Sequence, residues 1–255
     1  MDLWERYVKD DKSGLYLPLD DFKSAQHQFL EDPGPKTFPV LRQAYYRRYG
    51  EHALSELVGF LEEYVAKIPA PWRHLALAEL YDRSYRLAEA EYELEKALEF
   101  PEGRVWEVYE LYISTLLKRK RWKAALDAAI CCEETLKAKL QDSQRAEVYY
   151  YRACAAALAG DQEAGLGNLT AAEAYGFEKI KLNFLRLKLL AGSNKELDMQ
   201  VQIIEELHDS KLSSKYRKEL RQLENRVWRV LLETLIFLLK FKEVHHAGQG
   251  VTSSK

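Results

Sequence analysis

Proline is confined to the first part of the chain, and this distribution restricts the fold more than any other feature of the sequence. The seven prolines stand at positions 18, 33, 35, 39, 69, 71 and 101, and residues 102–255 contain none. The proline-free part is rich in Leu, Ala, Glu, Lys and Arg, which favour helices. No stretch alternates β-branched or aromatic residues with polar ones, as a half-buried strand would. The sequence therefore predicts an all-α fold.

Helical spacing of apolar residues is also present before the proline-free part. One run begins near Asp20 and should end at residues 32–35, where two prolines and a glycine follow an aspartate. Two further runs, 41–48 and 54–65, are separated by Gly50. They predict an antiparallel pair of helices, because a short turn forces consecutive helices to pack side by side.

Composition excludes several classes of protein. The 255 residues amount to fewer than two average domains. Thirty-eight Lys and Arg against 40 Asp and Glu leave a formal charge of −2, so no overall field attracts nucleic acid or an anionic membrane. A hydrophobic share of 47% with 31% charged residues is typical of a globular protein and excludes a wholly disordered, collagen-like or disulfide-framework chain.

Several features predict a cytoplasmic location. Residues 1–6 carry charges where a secretory signal needs an apolar stretch, so we expect no export signal. Three cysteines, two of them adjacent, favour a reducing compartment. The most apolar segment, 227–241, is shorter than the roughly 20 residues needed to span a bilayer. It also contains Arg229 and Glu233, and we predict a buried helix there.

A pattern of small and apolar residues recurs along the chain at steps of 35 and then 40 residues. The longer second step requires an insertion near residues 141–143. A period of this size indicates a repeat architecture. The three matching sets are Leu77, Ala78, Tyr81, Ala90, Leu94 and Ala97; Tyr112, Ile113, Leu116, Ala125, Ala129 and Cys132; and Arg152, Ala153, Ala156, Gly165, Leu169 and Ala172.

This pattern resembles the tetratricopeptide repeat (TPR), a hairpin of two helices called A and B, over residues 72–176 and more weakly over 40–70 and 178–210. The resemblance implies a right-handed α-solenoid of about five hairpins; a generic array of helical hairpins is the alternative. Helices A and B should approach closely at small side chains, where bulk would wedge the hairpin open. These are Ala78, Ala90, Ala153 and Gly165.

The last part of the chain predicts a capping helix from about Ser214 to Val244, because a solenoid usually ends in an atypical element that covers its last repeat. Its broad apolar face also fits a dimer interface or a membrane-surface helix. That face should include Val227, Trp228, Leu231, Leu235, Leu238 and Leu239. The predicted organisation is an N-terminal segment with one helix (1–38), the repeat array (39–212), the cap (213–244) and a disordered tail (245–255).

In a solenoid, equivalent positions on successive A helices form columns along a concave surface. Here the predicted columns are Trp72, Glu107 and Glu147; Leu75, Glu110 and Tyr150; Ala76, Leu111 and Tyr151; and Glu79, Ser114 and Cys154. An acidic groove with aromatic residues suits a protein segment that carries Lys or Arg and an apolar anchor. A solvated helix face is the alternative. The predicted binding residues are Trp72, Glu79, Glu107, Glu110, Ser114, Glu147, Tyr150 and Tyr151.

The resemblance also bears on one kind of ligand. Members of the TPR family that hold the terminal carboxylates of heat-shock chaperones use Lys, Arg and Asn on their A helices. This chain disagrees at every matching position, so an anionic tail is a poor ligand for the predicted groove. The residues found there are Leu75, Glu79, Leu111, Glu147 and Tyr151.

A basic cluster lies on the turn of the second hairpin and provides an alternative function. It consists of Lys118, Arg119, Lys120, Arg121 and Lys123. Such a cluster could contact the phosphates of a nucleic acid. It could equally complement the carboxyl end of the preceding helix. Trp122, within the cluster, holds an aromatic position of the repeat and is predicted to lie in the core.

No common catalytic motif is found: the sequence lacks a P-loop, G-x-S-x-G, H-E-x-x-H and G-x-G-x-x-G. We therefore expect a non-enzymatic scaffold, adaptor or assembly factor that binds a protein partner and needs neither cofactor nor metal. Association with nucleic acid or ribonucleoprotein through the basic turn, and membrane contact through the last helix, remain alternatives.

Overall fold

The computed structural model describes residues 19–191, 196–210 and 212–249, with side chains from residue 21 to 234 except Lys215. All regular structure in these ranges is helical, so the all-α prediction is confirmed. Two 3-10 turns, Gly50–His52 and Pro101–Gly103, lie between helices. The helices are α1 (Leu19–Glu31), α2 (Phe38–Tyr49), α3 (Ala53–Glu63), α4 (Ala70–Arg83), α5 (Leu87–Glu99), α6 (Trp106–Lys118), α7 (Trp122–Leu136), α8 (Asp142–Ala159), α9 (Gln162–Ala174), α10 (Lys179–Leu190), α11 (Leu197–His208) and α12 (Ser214–Gln249).

The first three helices enclose an aromatic core. The Phe22 and Tyr45 rings lie 4.9 Å apart edge to face, and Phe29 packs against Phe38 and Phe60. Such pairs bury large apolar areas in a favourable ring geometry. The helix expected near Asp20 begins one residue earlier, and the two runs around Gly50 form α2 and α3.

From α4 onward, each helix packs against the next one along the chain. The even-numbered helices also contact each other in order, α4 with α6, α6 with α8, α8 with α10 and α10 with α12. Within the described ranges, the odd-numbered helices from α5 to α11 contact each other less. The even-numbered helices therefore lie side by side as neighbours.

The turn inside each hairpin has the same backbone geometry three times. Tyr85, Lys120 and Gly160 adopt positive φ angles of 57°, 60° and 77°. In each case the following N–H donates to a carbonyl five residues before it, at 2.9 Å, as in a Schellman motif. These positions are 35 and 40 residues apart, so the repeat step found in the sequence is also a step in backbone conformation.

The additional residues of the second, 40-residue step lie in helix α8. α6 has 13 residues and α8 has 18. The extra length lies at the start of α8, where Gln141 and Gln144 form a capping box and the Gln141 N–H donates to Gln144 Oε1 at 2.9 Å. The predicted insertion near residues 141–143 is therefore helix, because this cap lets α8 start one turn earlier.

The small residues of the repeat are buried as expected. Ala78, Ala90 and Ala153 are fully buried. At Gly165 on α9, an added Cβ would lie 2.8 Å from Leu189 Cδ1 on α10. The nearest obstacle at Gly165 is thus the following helix, so bulk there would disturb the contact between successive hairpins as well.

Helix α12 begins at Ser214 as predicted and continues to Gln249, beyond the expected end at Val244. Val227 is fully buried against the α11 side, but Trp228 is 56% exposed and Leu232 is 58% exposed. The prediction that Trp228 packs in the cap is therefore wrong, because it lies about 100° around the helix from Val227. The predicted contacts of Leu235, Leu238 and Leu239, the first 18 residues and the end of the tail (250–255) fall outside what the structure describes.

Candidate functional site

The predicted binding residues of the second and third hairpins come together on two adjacent helices. Glu107, Glu110 and Ser114 share one face of α6, because they are three and four residues apart. Glu147, Tyr150 and Tyr151 share one face of α8 in the same way, and α6 contacts α8 directly. We call the surface formed by Glu107, Glu110, Glu147, Tyr150 and Tyr151 the acidic face.

Two carboxylates on the acidic face are half-buried and form no ion pair with any residue that the structure describes. Across the described part of the chain, Glu110 and Glu147 make no ion pair or hydrogen bond. Every other buried or half-buried carboxylate there is bound to Lys, Arg or His. These are Glu79, Asp82, Glu89, Glu91, Glu93, Glu133, Glu206, Glu219 and Glu224.

Both carboxylates have a raised pKa. Burial, together with the negative charges of Glu147, Glu107 and Glu79, raises the pKa of Glu110 to about 7. Burial also raises the pKa of Glu147, although the Lys181 ammonium acts in the opposite direction. Carboxylates from α4, α6 and α8 are therefore close enough to repel each other, and a cation from outside would be attracted.

The two tyrosines add a rigid apolar part to the acidic face. Burial raises the pKa of the Tyr151 phenol, and the charges of Glu110 and Glu147 add to this, so the phenol lies near both carboxylates. The Tyr150 ring stacks on Phe177, with centroids 4.4 Å apart. Aromatic rings held in this way give contact area at little cost in side-chain entropy.

The α4 end of the predicted groove is covered. Leu75 and Ala76 are 3% and 1% exposed, so their placement in open columns is wrong. The helices before α4 pack over this end, and Arg42 of α2 binds Glu79. Trp72 is half-buried and packs against both neighbouring core clusters. Here, the predicted binding residues serve contacts within the chain.

The remaining predicted residue, Ser114, is half-buried on α6. Its hydroxyl donates to the Leu111 carbonyl at 3.0 Å, within its own helix. Hydroxyls on helices often bond to the backbone of the preceding turn in this way. Ser114 therefore lies on the same helix face as Glu107 and Glu110 but adds no charge to it.

The face continues onto α10, which the repeat steps of 35 and 40 did not reach. A further step of 34 leads from Glu147 to Lys181 and from Cys154 to Lys188. Lys181 pairs with Glu178 at 2.8 Å, and Lys188 pairs with Glu219 of α12 at 2.5 Å. The charge of the face thus changes sign at α10. The 34-residue step is the signal that could have identified these lysines.

Most of the basic turn is engaged within the chain. Lys118 Nζ lies 2.7 and 2.6 Å from the two carboxylate oxygens of Asp82 on α4. Arg119 and Arg121 both bind the carboxylate of Glu91 on α5, which is 4% exposed. These three residues tie the second hairpin to the first. Among the described residues, the exposed Lys120 and Lys123 have no carboxylate partner.

Trp122 does not lie in the core. Its side chain is 37% exposed, so the prediction is wrong. The residue is the first of α7, directly after the turn. A side chain in the first turn of a helix lies at the end of the packed pair, where the neighbouring helix covers it only in part.

The chain was also compared with other proteins. No match was found among models of known protein families, curated proteins or solved structures. Across the described ranges, no three or more His, Cys, Asp and Glu side chains are grouped so as to hold a metal ion. No helix in those ranges has both the length and the apolar content needed to cross a membrane. The role of the acidic face must therefore be inferred from its own geometry.

Proposed function

We propose that this protein is a non-enzymatic scaffold or adaptor that binds a Lys- or Arg-bearing segment of a protein partner on its acidic face. The observation that carries the proposal is that Glu110 and Glu147, two half-buried carboxylates on adjacent helices, form no ion pair or hydrogen bond within the described part of the chain. A polar group taken out of water costs free energy unless it finds a partner. A cation from another protein would remove that cost.

The chemistry of recognition follows from the groups on the face. An ammonium or guanidinium group between Glu110 and Glu147 would donate charge-assisted hydrogen bonds to both carboxylates. The Tyr151 ring, which lies near both, would add a cation–π contact. The exposed Glu107 would attract the cation from solvent without being desolvated itself.

We further propose that the helices form a TPR-like α-solenoid, with α4, α6, α8 and α10 as its A helices. The ordered contacts between even-numbered helices and the three identical hairpin turns support this arrangement. In such an array the A helices line the concave surface that binds ligands. A cytoplasmic location and the absence of catalysis belong to the same proposal.

Selection of peptides by the full-length protein tests this function. From a random 12-residue phage library, we expect enrichment of peptides that carry Lys or Arg beside an aromatic or aliphatic residue. A selected peptide, made synthetically, should bind at least tenfold more weakly to the Glu110→Gln/Glu147→Gln variant, because each lost charged hydrogen bond is worth about 1.5 kcal/mol or more.

A matched variant controls for net charge. Glu134→Gln/Glu163→Gln removes two exposed carboxylates outside the acidic face and should leave peptide affinity within twofold. Equal loss of affinity in both double variants would show that the peptides respond to overall charge. Enrichment of acidic peptides, or of none, would contradict the proposal.

A second candidate function rests on the exposure of Trp228 and Leu232 on α12, beside the exposed Arg226 and Arg229. Apolar side chains flanked by cations suit contact with the surface of an anionic membrane. Flotation with phosphatidylserine vesicles tests it. Binding that is lost on Trp228→Ser/Leu232→Ser would support a membrane-peripheral role, and no flotation of the wild-type protein would exclude it.

A further inference from the structure

The turns inside the first two hairpins lie next to each other, because ion pairs join them. Three cations of the basic turn bind Asp82 and Glu91 of the first hairpin. We call the surface formed by residues 83–86 and 118–123 the turn edge. Residues 82–91 and 118–123 together contain seven Lys and Arg against three Asp and Glu. The turn edge therefore keeps a local positive charge after its internal pairs are counted, although the whole chain carries a formal charge of −2.

Two exposed aromatic rings stand among the cations of the turn edge. Tyr85 is 81% exposed, more than any other large apolar or aromatic side chain that the structure describes. Trp122 is 37% exposed, and in the sequence it lies between Lys120 and Lys123, the two exposed lysines without a carboxylate partner in the described ranges. Among the described residues, neither ring packs on another ring or under a cation. Both rings are therefore open to a ligand.

The backbone at two positions of the turn edge has a cost that packing does not offset. Tyr85, Lys120 and Gly160 occupy the same position in three hairpin turns, and all three have a positive φ. Glycine adopts this conformation freely, whereas a residue with a Cβ is strained in it. The third turn shows that glycine suits the position, yet the first two turns carry a tyrosine and a lysine whose side chains face solvent. Strain without a structural benefit is typical of positions that serve a function.

We propose that the turn edge binds single-stranded nucleic acid, with bases stacked on Tyr85 and Trp122 and phosphates bound by the lysines on either side of Trp122. Exposed rings among cations suit a single strand, because its base faces are free to stack. In a duplex those faces are covered, and a turn between helices does not fill the major groove as a helix does. An acidic peptide would pair with the lysines but offers no row of flat bases to the two rings. The turn edge shares no residue with the acidic face, so this inference is independent of the function proposed above.

Fluorescence anisotropy of labelled probes with the full chain tests the inference. The probes are a 12-nucleotide RNA, the single-stranded DNA of the same sequence, the corresponding DNA duplex and a 12-residue polyglutamate peptide. We expect a single strand to bind saturably, and the duplex and polyglutamate to bind at least tenfold more weakly. The affinity for the single strand should fall about tenfold between 50 and 200 mM salt, as two or three phosphate contacts require. Tighter binding of RNA than of DNA would assign a contact to the 2′-hydroxyl group, and equal binding would assign stacking and phosphate contacts alone.

A substitution at Tyr85 separates recognition from stability. Tyr85→Gly removes the ring and relieves the positive φ, so the variant should be at least as stable as the wild-type protein. It should nevertheless bind the single strand at least fivefold more weakly, because a stacking contact is lost. The matched control is Tyr92→Ala, which removes an exposed tyrosine of α5 whose ring lies under Lys96, and it should leave affinity within twofold.

A second pair of variants tests the role of the lysines. Lys120→Gln/Lys123→Gln should weaken binding at low salt and make the affinity less dependent on salt, because two phosphate contacts are lost. Lys137→Gln/Lys139→Gln removes two exposed lysines beyond the other end of α7 and should change neither property. The absence of saturable binding to a single strand, equal affinity for the duplex or polyglutamate, or equal losses in the test and control variants would overturn the proposal.

Discussion

The basic turn and the acidic face both stand out in the sequence as charge clusters, but they differ in how the fold uses them. On the turn, Lys118, Arg119 and Arg121 bind carboxylates of the preceding hairpin. On the face, Glu110 and Glu147 form no ion pair among the described residues, although the charge of Lys181 acts on Glu147. A run of like charges in a sequence therefore says little about what is available for binding, and the pairing within the fold decides it.

The two regions should respond in opposite directions to the loss of a carboxylate. Where the carboxylate is paired, its removal leaves cations without a partner and weakens the contact between hairpins. Where it is unpaired and half-buried, its neutralisation removes repulsion and a desolvation cost. The predictions below use this opposition, beginning with the largest effect.

Replacement of the buried acid under the basic turn should destabilise the protein most. Glu91→Ala removes the partner of both Arg119 and Arg121, and we expect a loss of about 2–4 kcal/mol in the free energy of unfolding. Urea denaturation followed by tryptophan fluorescence measures this loss. Glu134→Ala, an exposed acid on α7, should change stability by less than about 0.5 kcal/mol. Similar values for both would show that the pairing on the turn contributes little.

Neutralisation on the acidic face should stabilise the protein, and only at higher pH. In the folded protein the pKa of Glu110 is about 7, above the ordinary value of 4.5 for a glutamate carboxyl group. The folded state therefore holds more protons between these values, and stability falls as pH rises through this window. Glu110→Gln should raise the free energy of unfolding by about 1–2 kcal/mol at pH 8, allowing for solvent screening, and have little effect at pH 4.5.

The same measurement includes its own controls. Glu107→Gln, on the same helix but exposed, should have a small effect at both pH values because solvent screens its charge. The double variant Glu110→Gln/Glu147→Gln should gain less stability than the two single variants gain together, because each substitution removes the same repulsion. A destabilised Glu110→Gln at pH 8 would indicate that the carboxylate has a partner in the folded protein.

Sequence patterns predicted the features that depend on local chemistry. The helices could be predicted from the spacing of apolar residues and from the absence of proline. The repeat step could be predicted because each hairpin needs small residues and a turn at fixed positions. The predicted step thus agrees with the positive φ angles of Tyr85, Lys120 and Gly160. The acidic residues of α6 and α8 were placed on one face for the same reason.

Contacts between distant residues were not predictable in this way. Arg42 binds Glu79 across 37 residues, and Arg119 binds Glu91 across 28, and no local pattern selects these pairs over others. The covering of Ala76 depends on how α1–α3 pack over α4, and Leu75 is buried against residues of α5 and α6. The sequence contains the 34-residue step that relates the lysines of α10 to α8. That step places them on the same surface only because α8 and α10 are in contact.

The smallest predicted effect on stability concerns Lys120, where two variants distinguish the cost of the backbone angle from the cost of the charge. Lys120 has no carboxylate partner among the residues that the structure describes, and its φ of 60° is costly for any residue that carries a Cβ. Lys120→Gly should therefore stabilise the protein by about 0.5–1 kcal/mol, after the greater freedom of glycine in the unfolded chain is counted. Lys120→Ala removes the same charge but retains the Cβ, so its stability should not rise. If both variants gain equally, repulsion among the cations of the turn, and not the backbone angle, is the cost that this position carries.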